Sequence, residues 1–218
     1  MKKLIIFDLD GTLIDTLEDL KNAVNYALNF KNWPLKTKEQ IRMAIGNGVA
    51  KLVERCLPNG ATHEEYIEAL SIFTKYYEKY YNVNTKPYIG VKELLLKLKN
   101  EGYLLAVCTN KIDDVAHELV ETFYPNIFDF IQGDVPGLKK KPAPDMINKI
   151  MNHFNLTSKE AIYIGDTDVD MNTGINSHLD YIIESYGYRT KEELKTLCPH
   201  SIVVNNTDEL YEQIKKLG

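Results

Sequence analysis

Leu4-Ile5-Ile6-Phe7-Asp8-Leu9-Asp10-Gly11-Thr12 is the stretch whose reading decides the fold. The apolar run Leu4 to Phe7 reads as a buried strand, and two carboxylates follow where that strand should end. Residues two apart on an extended chain share a side, so Asp8 and Asp10 are expected to present their carboxylates together. Gly11 then lets the chain leave in a backbone conformation closed to other residues. Asp and Gly are also common turn formers, so an isolated Asp-Gly would read as an ordinary turn. The rest of the chain has to separate a turn from a site.

Working outward, short β-branched or aliphatic runs alternate with helical patterns, which is the signature of a parallel sheet with crossover helices. Strands are expected near Leu4–Asp8, Leu104–Cys108, Phe130–Gln132, Ala161–Ile164, Tyr181–Glu184 and Ile202–Val204. Asp145–Phe154 and Asp168–Ser177 have helix length, and Thr190-Lys191-Glu192-Glu193 and Thr207-Asp208-Glu209 read as helix starts. The expected fold class is α/β: a doubly wound, Rossmann-like parallel sheet formed by residues 1–14 and 87–218. Residues 15–86 carry helical patterns and no convincing strand, so they read as an all-helical domain inserted after the first strand. Within it, Thr62-His63-Glu64-Glu65 resembles a capping box. It opens a long helix bearing Tyr66, Tyr76, Tyr77, Tyr80 and Tyr81, a stripe expected to serve the insert's core or an interface. Gly46-Asn47-Gly48 reads either as a helix-to-helix turn or as a loop that sets substrate specificity.

Composition excludes several function classes. With 44% hydrophobic and 26% charged residues, no uninterrupted apolar run approaches the roughly 20 residues that a membrane-spanning helix needs. Met1-Lys2-Lys3 is followed by an apolar run too short for a signal peptide, and a cytoplasmic location is expected. Cys56, Cys108 and Cys198 are odd in number and form no CxxC pair, which argues against a disulfide framework or a zinc site. A net charge of −5 argues against nucleic acid as a partner. The five histidines show no zinc-protease spacing and receive no chemical role.

In doubly wound sheets, ligands bind beyond the carboxyl ends of the strands, so the residues just after each strand matter most. Here those are Asp8 and Asp10, then Thr109-Asn110-Lys111, then Gly165-Asp166-Thr167-Asp168-Val169-Asp170. Lys141 lies in Lys139-Lys140-Lys141-Pro142, on a loop before a Pro-started helix. By itself that loop would read as a solvated basic turn, but beside the acids Lys141 becomes a site residue. Carboxylates gathered this closely repel unless protons or a cation offset them, and oxygen ligands of this kind suit Mg²⁺. A lysine and a threonine hydroxyl beside such a cation are what a transferring phosphoryl group requires.

The ordered set resembles the four motifs of the haloacid dehalogenase superfamily of phosphohydrolases: Asp8-x-Asp10-x-Thr12, Thr109, Lys141, and Gly165-Asp166-x-x-x-Asp170. The insert is similar to that superfamily's small helical C1 cap. Ile45-Gly46-Asn47-Gly48-Val49, Thr109-Asn110-Lys111 and Tyr186-Gly187-Tyr188-Arg189 resemble its phosphoglycolate phosphatase-like branch. The resemblance implies a Mg²⁺-dependent phosphatase acting on a small phosphorylated metabolite, with 2-phosphoglycolate the first candidate, working as a monomer or homodimer. It implies Asp8 as nucleophile and Asp10 as acid and base. Asp8, the Asp10 carbonyl and Asp166 would ligate the metal, and Thr109, Asn110 and Lys141 would hold the phosphoryl group. Asp170 would orient Lys141 or hold a metal-bound water, Asp168 would start a helix, and Thr12 would shape the turn toward the cap. A phosphomutase similar to β-phosphoglucomutase, a phosphonatase, and a non-catalytic phospho-ligand binder are the alternatives on the same scaffold.

Overall fold

The computed structural model describes all 218 residues, arranged as two compact units, Met1–Ile14 with Pro87–Gly218 and Asp15–Lys86. The chain runs β1 (Leu4–Phe7), β2 (Ile14–Asp15), α1 (Leu17–Phe30), α2 (Lys38–Ala44), α3 (Val49–Cys56), α4 (His63–Tyr80) and β3 (Lys86–Pro87). It continues through α5 (Val91–Asn100), β4 (Leu104–Ile112), α6 (Asp113–Phe123), β5 (Phe130–Asp134), α7 (Asp145–Phe154) and β6 (Ala161–Gly165). The final elements are α8 (Asp168–Asn176), β7 (Asp180–Glu184), α9 (Lys191–Leu197), β8 (Val203–Val204) and α10 (Thr207–Leu217). The two-residue strands β2 and β3, which the sequence did not suggest, stand where the chain passes between the units.

The larger unit is an α/β fold around a six-stranded sheet of order β5-β4-β1-β6-β7-β8, with its neighbouring strands parallel. From β1 the chain moves outward on one side through β4 and β5, then crosses to β6, β7 and β8 on the other. That reversal opens a crevice at the carboxyl end of β1, between β4 and β6. Leu4, Ile5, Ile6 and Phe7 are all buried, as are Ala161 to Gly165 in β6, because helices cover both faces of the sheet. On one face Leu4, Ile6, Ala106, Cys108 and Tyr163 pack against Met146, Ile147 and Ile150 of α7. Removing each such side chain from water contributes about 1.5–3 kcal/mol.

Two strand ends depart from expectation. β1 stops at Phe7, because the Asp8 carboxylate accepts the Leu9 N–H at 2.7 Å and the chain bends there. Asp8 and Asp10 therefore do not share a side by simple extension, and each carboxylate turns to its own lysine. β4 runs on through Thr109, Asn110 and Lys111 to Ile112, with its register against β5 shifting between Cys108 and Ile112. Such an irregularity re-aims side chains beside a site.

The smaller unit has no strand between Leu17 and Tyr80. α1 buries Leu17, Leu20, Ala23, Val24, Ala27 and Leu28 at helical spacing, and α4 opens with a two-way cap between Thr62 and Glu65. The tyrosines of α4 do not form one stripe. Phe73 and Tyr77 are buried, whereas Tyr76 stacks on Tyr26 of α1 with ring centroids 4.4 Å apart and Tyr80 is 38% exposed. Adjacent tyrosines at 76–77 and 80–81 point about 100° apart on a helix, so they serve two faces. Gly46-Asn47-Gly48 joins α2 to α3 as a turn, braced by Arg55, which donates to the Ala44 carbonyl and to Asn47 Oδ1.

Asp19 fastens the ends of this unit together. Buried in α1, its carboxylate accepts the backbone N–H groups of Val83, Asn84 and Thr85, the Asn84 amide and the Thr85 hydroxyl, at 2.8–3.1 Å. Hydrogen bonds to a charged group contribute about 1.5–3 kcal/mol each before the shared acceptor is counted. Asp19→Ala should therefore lower the unfolding free energy by roughly 3 kcal/mol, as the midpoint of urea denaturation will report. A shift no larger than that of an exposed control would refute this. No helix is long and apolar enough to cross a membrane.

Candidate active site

Lys141 sits at the centre of the crevice. Its ammonium is 2.8 Å from Asp8 Oδ1 and 2.8 Å from Asp170 Oδ1, and it donates to the Tyr163 hydroxyl oxygen at 2.9 Å. Tyr163 in turn donates to Asp170 Oδ1 at 2.8 Å. The loop carrying Lys141 is held by Asn110, whose amide nitrogen donates to the Lys141 carbonyl (3.0 Å) and whose oxygen accepts the Lys141 N–H (2.8 Å). Lys140, next along, points outward to Asp134, so only the last of the three lysines belongs to the crevice.

Asp170 is positioned by the start of α8, which Asp168 begins and Thr167 caps. Its Oδ2 accepts the N–H groups of Asp166 (3.2 Å) and Thr167 (3.1 Å) and the Thr167 hydroxyl (2.7 Å), leaving Oδ1 for Lys141 and Tyr163. Both oxygens of Asp170 are thus committed to protein donors. At Asp8 the Lys141 and Leu9 contacts both fall on Oδ1.

Asp166, fully buried, accepts the Tyr188 N–H on Oδ2 at 2.8 Å, and the Thr12 hydroxyl lies 3.5 Å from Oδ1. Space is as tight here as conformation. Gly11 adopts φ +94°, and a Cβ on it would fall 2.4 Å from Asp166 Oδ2; one on Gly187 would fall 2.0 Å from the Gly11 carbonyl. Beneath this turn Glu184, also fully buried, accepts the N–H groups of Tyr186 and Gly187 on Oε2, while Oε1 has no hydrogen-bond partner.

Charge is unbalanced in this space. Ligand oxygens of Asp8, Asp166 and Asp170 lie within 4.8 Å of one another, and Lys141 is the cation in contact with Asp8 and Asp170. Burial, opposed by Lys141, pushes the Asp8 carboxyl up to about 7. Burial and the neighbouring acids Asp170 and Asp8 push Asp166 well above the carboxylate range. Burial also works against ionised Asp170, but Lys141 and the Thr167 and Tyr163 hydrogen bonds outweigh it and hold that carboxyl low. A cluster that must keep protons to remain buried is one that a hard divalent cation would neutralise, and its all-oxygen donors suit such an ion.

Asp10 stands beside this cluster with its own partner. Lys111 donates to both of its oxygens, at 2.8 and 3.0 Å. Thr109, buried at the end of the regular part of β4, accepts the Lys111 N–H on its hydroxyl at 3.2 Å. Residues 5–184, most of the chain and every group just described except Tyr186, Gly187 and Tyr188, match the haloacid dehalogenase-like hydrolase family. The chain belongs to that family.

Its relatives share nearly its whole length. A phosphoglycolate phosphatase of Psychrobacter arcticus is 34% identical, covering 91% of this chain and 90% of its own, and one of Colwellia psychrerythraea is 30% identical over 91% of each. Among crystal structures, a Lactobacillus delbrueckii protein superposes with a TM-score of 0.92 at 31% identity, covering 98% of this chain and 99% of that one. A predicted phosphoglycolate phosphatase from Haemophilus somnus superposes at 0.86 with 29% identity, covering 97% and 98%. This member of the haloacid dehalogenase-like family is a phosphatase.

The structure gathers Asp8, Asp10, Thr12, Thr109, Asn110, Lys141, Asp166 and Asp170 at one edge of the sheet. Sequence reasoning placed Lys111 beyond a strand end but gave no chemical role to it, to Tyr163 or to Glu184. For Tyr163 a signal existed, since a buried tyrosine within an isoleucine strand must find a partner for its hydroxyl. Glu184 directly follows the apolar run Tyr181-Ile182-Ile183, as Asp8 follows Leu4–Phe7, and invited the same scrutiny.

Proposed function

We propose that this phosphatase is a Mg²⁺-dependent phosphomonoesterase of a small soluble metabolite, with 2-phosphoglycolate as its first substrate. Residues 1–14 and 87–218 serve as the catalytic core and 15–86 as the cap domain. The observation that carries the reading is the Asp8 carboxylate, locked by Lys141 within an acidic cluster, with the separately held Asp10 carboxylate two residues on. The names of relatives at 30–34% identity support the substrate.

In this reading an Asp8 oxygen attacks phosphorus, the bond to the leaving oxygen breaks, and an aspartyl-phosphate forms. Asp10 gives its proton to the departing alkoxide, then accepts one from the water that attacks the aspartyl-phosphate, releasing phosphate and restoring Asp8. Thr109 and the Asn110 backbone hold phosphoryl oxygens while Lys141 offsets their charge. Asp8, the Asp10 carbonyl and Asp166 would hold Mg²⁺, which when bound supplies positive charge to the phosphoryl oxygens. Asp170, whose oxygens already accept from Lys141, Tyr163, Thr167 and Asp166, orients Lys141 rather than a metal-bound water. The free, buried cysteines fit a reducing compartment and support a cytoplasmic location.

Phosphate release across a panel of phosphorylated metabolites should favour 2-phosphoglycolate, stop in EDTA and return with Mg²⁺. Turnover indifferent to the chelator would end the metal assignment. An isomerised sugar phosphate in place of free phosphate would replace hydrolysis with a mutase reaction.

A further inference from the structure

Lys111 is a second buried lysine at the catalytic edge, and it faces the acid and base rather than the nucleophile. Its side chain is 3% exposed, its ammonium holds both Asp10 oxygens, and the Asp10 side chain is 18% exposed. The register shift in β4 sets it there, one residue from Asn110, which secures Lys141. Lys141 already meets Asp8 and Asp170, so neutralising the transferring phosphoryl group does not call on Lys111.

In the free enzyme this pairing opposes catalysis. The ammonium sits against both oxygens of the group that has to reach the leaving oxygen of the substrate. The arrangement becomes productive if an anion of the substrate draws the ammonium away from Asp10 as it binds. Proton delivery requires the leaving oxygen within about 3 Å of Asp10, which places Lys111 within roughly 6 Å of that oxygen. A carboxylate on the carbon next to the ester oxygen falls inside this range.

Building on the phosphomonoesterase reading above, we infer that Lys111 is the specificity-determining residue, its ammonium receiving a carboxylate on the alcohol half of the substrate. The substrate class is then the phosphate monoesters of short 2-hydroxy acids. Binding exchanges one ion pair for another and frees the Asp10 oxygens to face the leaving group.

The test compares kcat/KM for 2-phosphoglycolate with kcat/KM for 2-hydroxyethyl phosphate, which has an alcohol in place of the carboxylate. The wild-type enzyme should prefer the acid ester by roughly 10- to 100-fold, the range of a hydrogen bond to a charged group. Lys111→Met should bring the ratio close to one, and Lys111→Arg should keep most of it. The ratio is insensitive to the fraction of variant that folds, because both esters are turned over by the same active molecules. A wild-type ratio near one overturns the inference without any variant, and so does a ratio that survives in Lys111→Met. If the wild-type enzyme hydrolyses both esters, the phosphomonoesterase reading stands whatever the ratio; if it hydrolyses neither, both readings fall.

Discussion

Asp8→Asn should abolish phosphate release, with a fall on the order of 10⁴-fold or more, because a carboxamide cannot form the acyl-phosphate linkage. The fold should survive the change. Asparagine keeps an oxygen to accept the Leu9 N–H, and Lys141 retains Asp170. In EDTA the variant should also gain stability relative to wild type as pH rises. Burial raises the wild-type Asp8 carboxyl to about 7, so its contribution is fully present below the unfolded value near 4 and is lost as pH climbs through 7. Asparagine has no such loss. Urea denaturation at pH 5 and pH 8, alongside a phosphate-release assay, separates a dead nucleophile from an unfolded protein. Residual turnover above a tenth of wild type would remove Asp8 from the reaction.

Lys141→Met should damage activity and stability together. Removing one member of a buried ion pair costs about 3–5 kcal/mol, since the remaining charge loses its compensation. Here two acids, Asp8 and Asp170, lose their shared cation. The sign of the pH dependence follows from Asp170, whose carboxyl is held low because Lys141 and its hydrogen bonds outweigh burial. A lowered carboxyl contributes stability above its unfolded value near 4 and loses it as pH falls through the folded value. The gap between wild type and Lys141→Met should accordingly stay wide from pH 8 down to about 4 and narrow as pH falls below it. Calorimetric or urea unfolding across that range in EDTA will show it, and a pH-independent gap would mean that packing, not charge, holds Lys141 in place.

Much of the site was legible because Leu4–Phe7, Leu104–Cys108 and Ala161–Ile164 are short apolar runs and the chemistry follows each of them directly. Helices around the site were also readable: Asp145–Phe154 matches α7 end to end, and α8, which carries Asp170, begins at Asp168 as expected. Asp10 paired with Lys111 was not legible, since it depends on a register shift in β4 that leaves no mark on Leu104–Ile112 as a string. Nor was the end of β1 at Phe7, which the Asp8 side chain brings about by capturing the next N–H. The tyrosines of α4 misled for another reason: spacing reports which side chains share a face, but adjacent tyrosines at 76–77 and 80–81 populate two faces. Three-dimensional closure decided these points, and no local window contains it.

Asp19 joins residues 64 to 66 positions apart, at the opening and the close of the helical segment. To the sheet-forming part of the chain, that long excursion therefore behaves as a short connection whose ends are already tied. Closure entropy grows only slowly with length, at about 0.6 kcal/mol per doubling, and the knot removes even this dependence from the core. Helices between the tied ends can be lengthened, replaced or exchanged with little effect on β1 and its neighbours. A single buried carboxylate thus makes the insert a portable cassette within the chain.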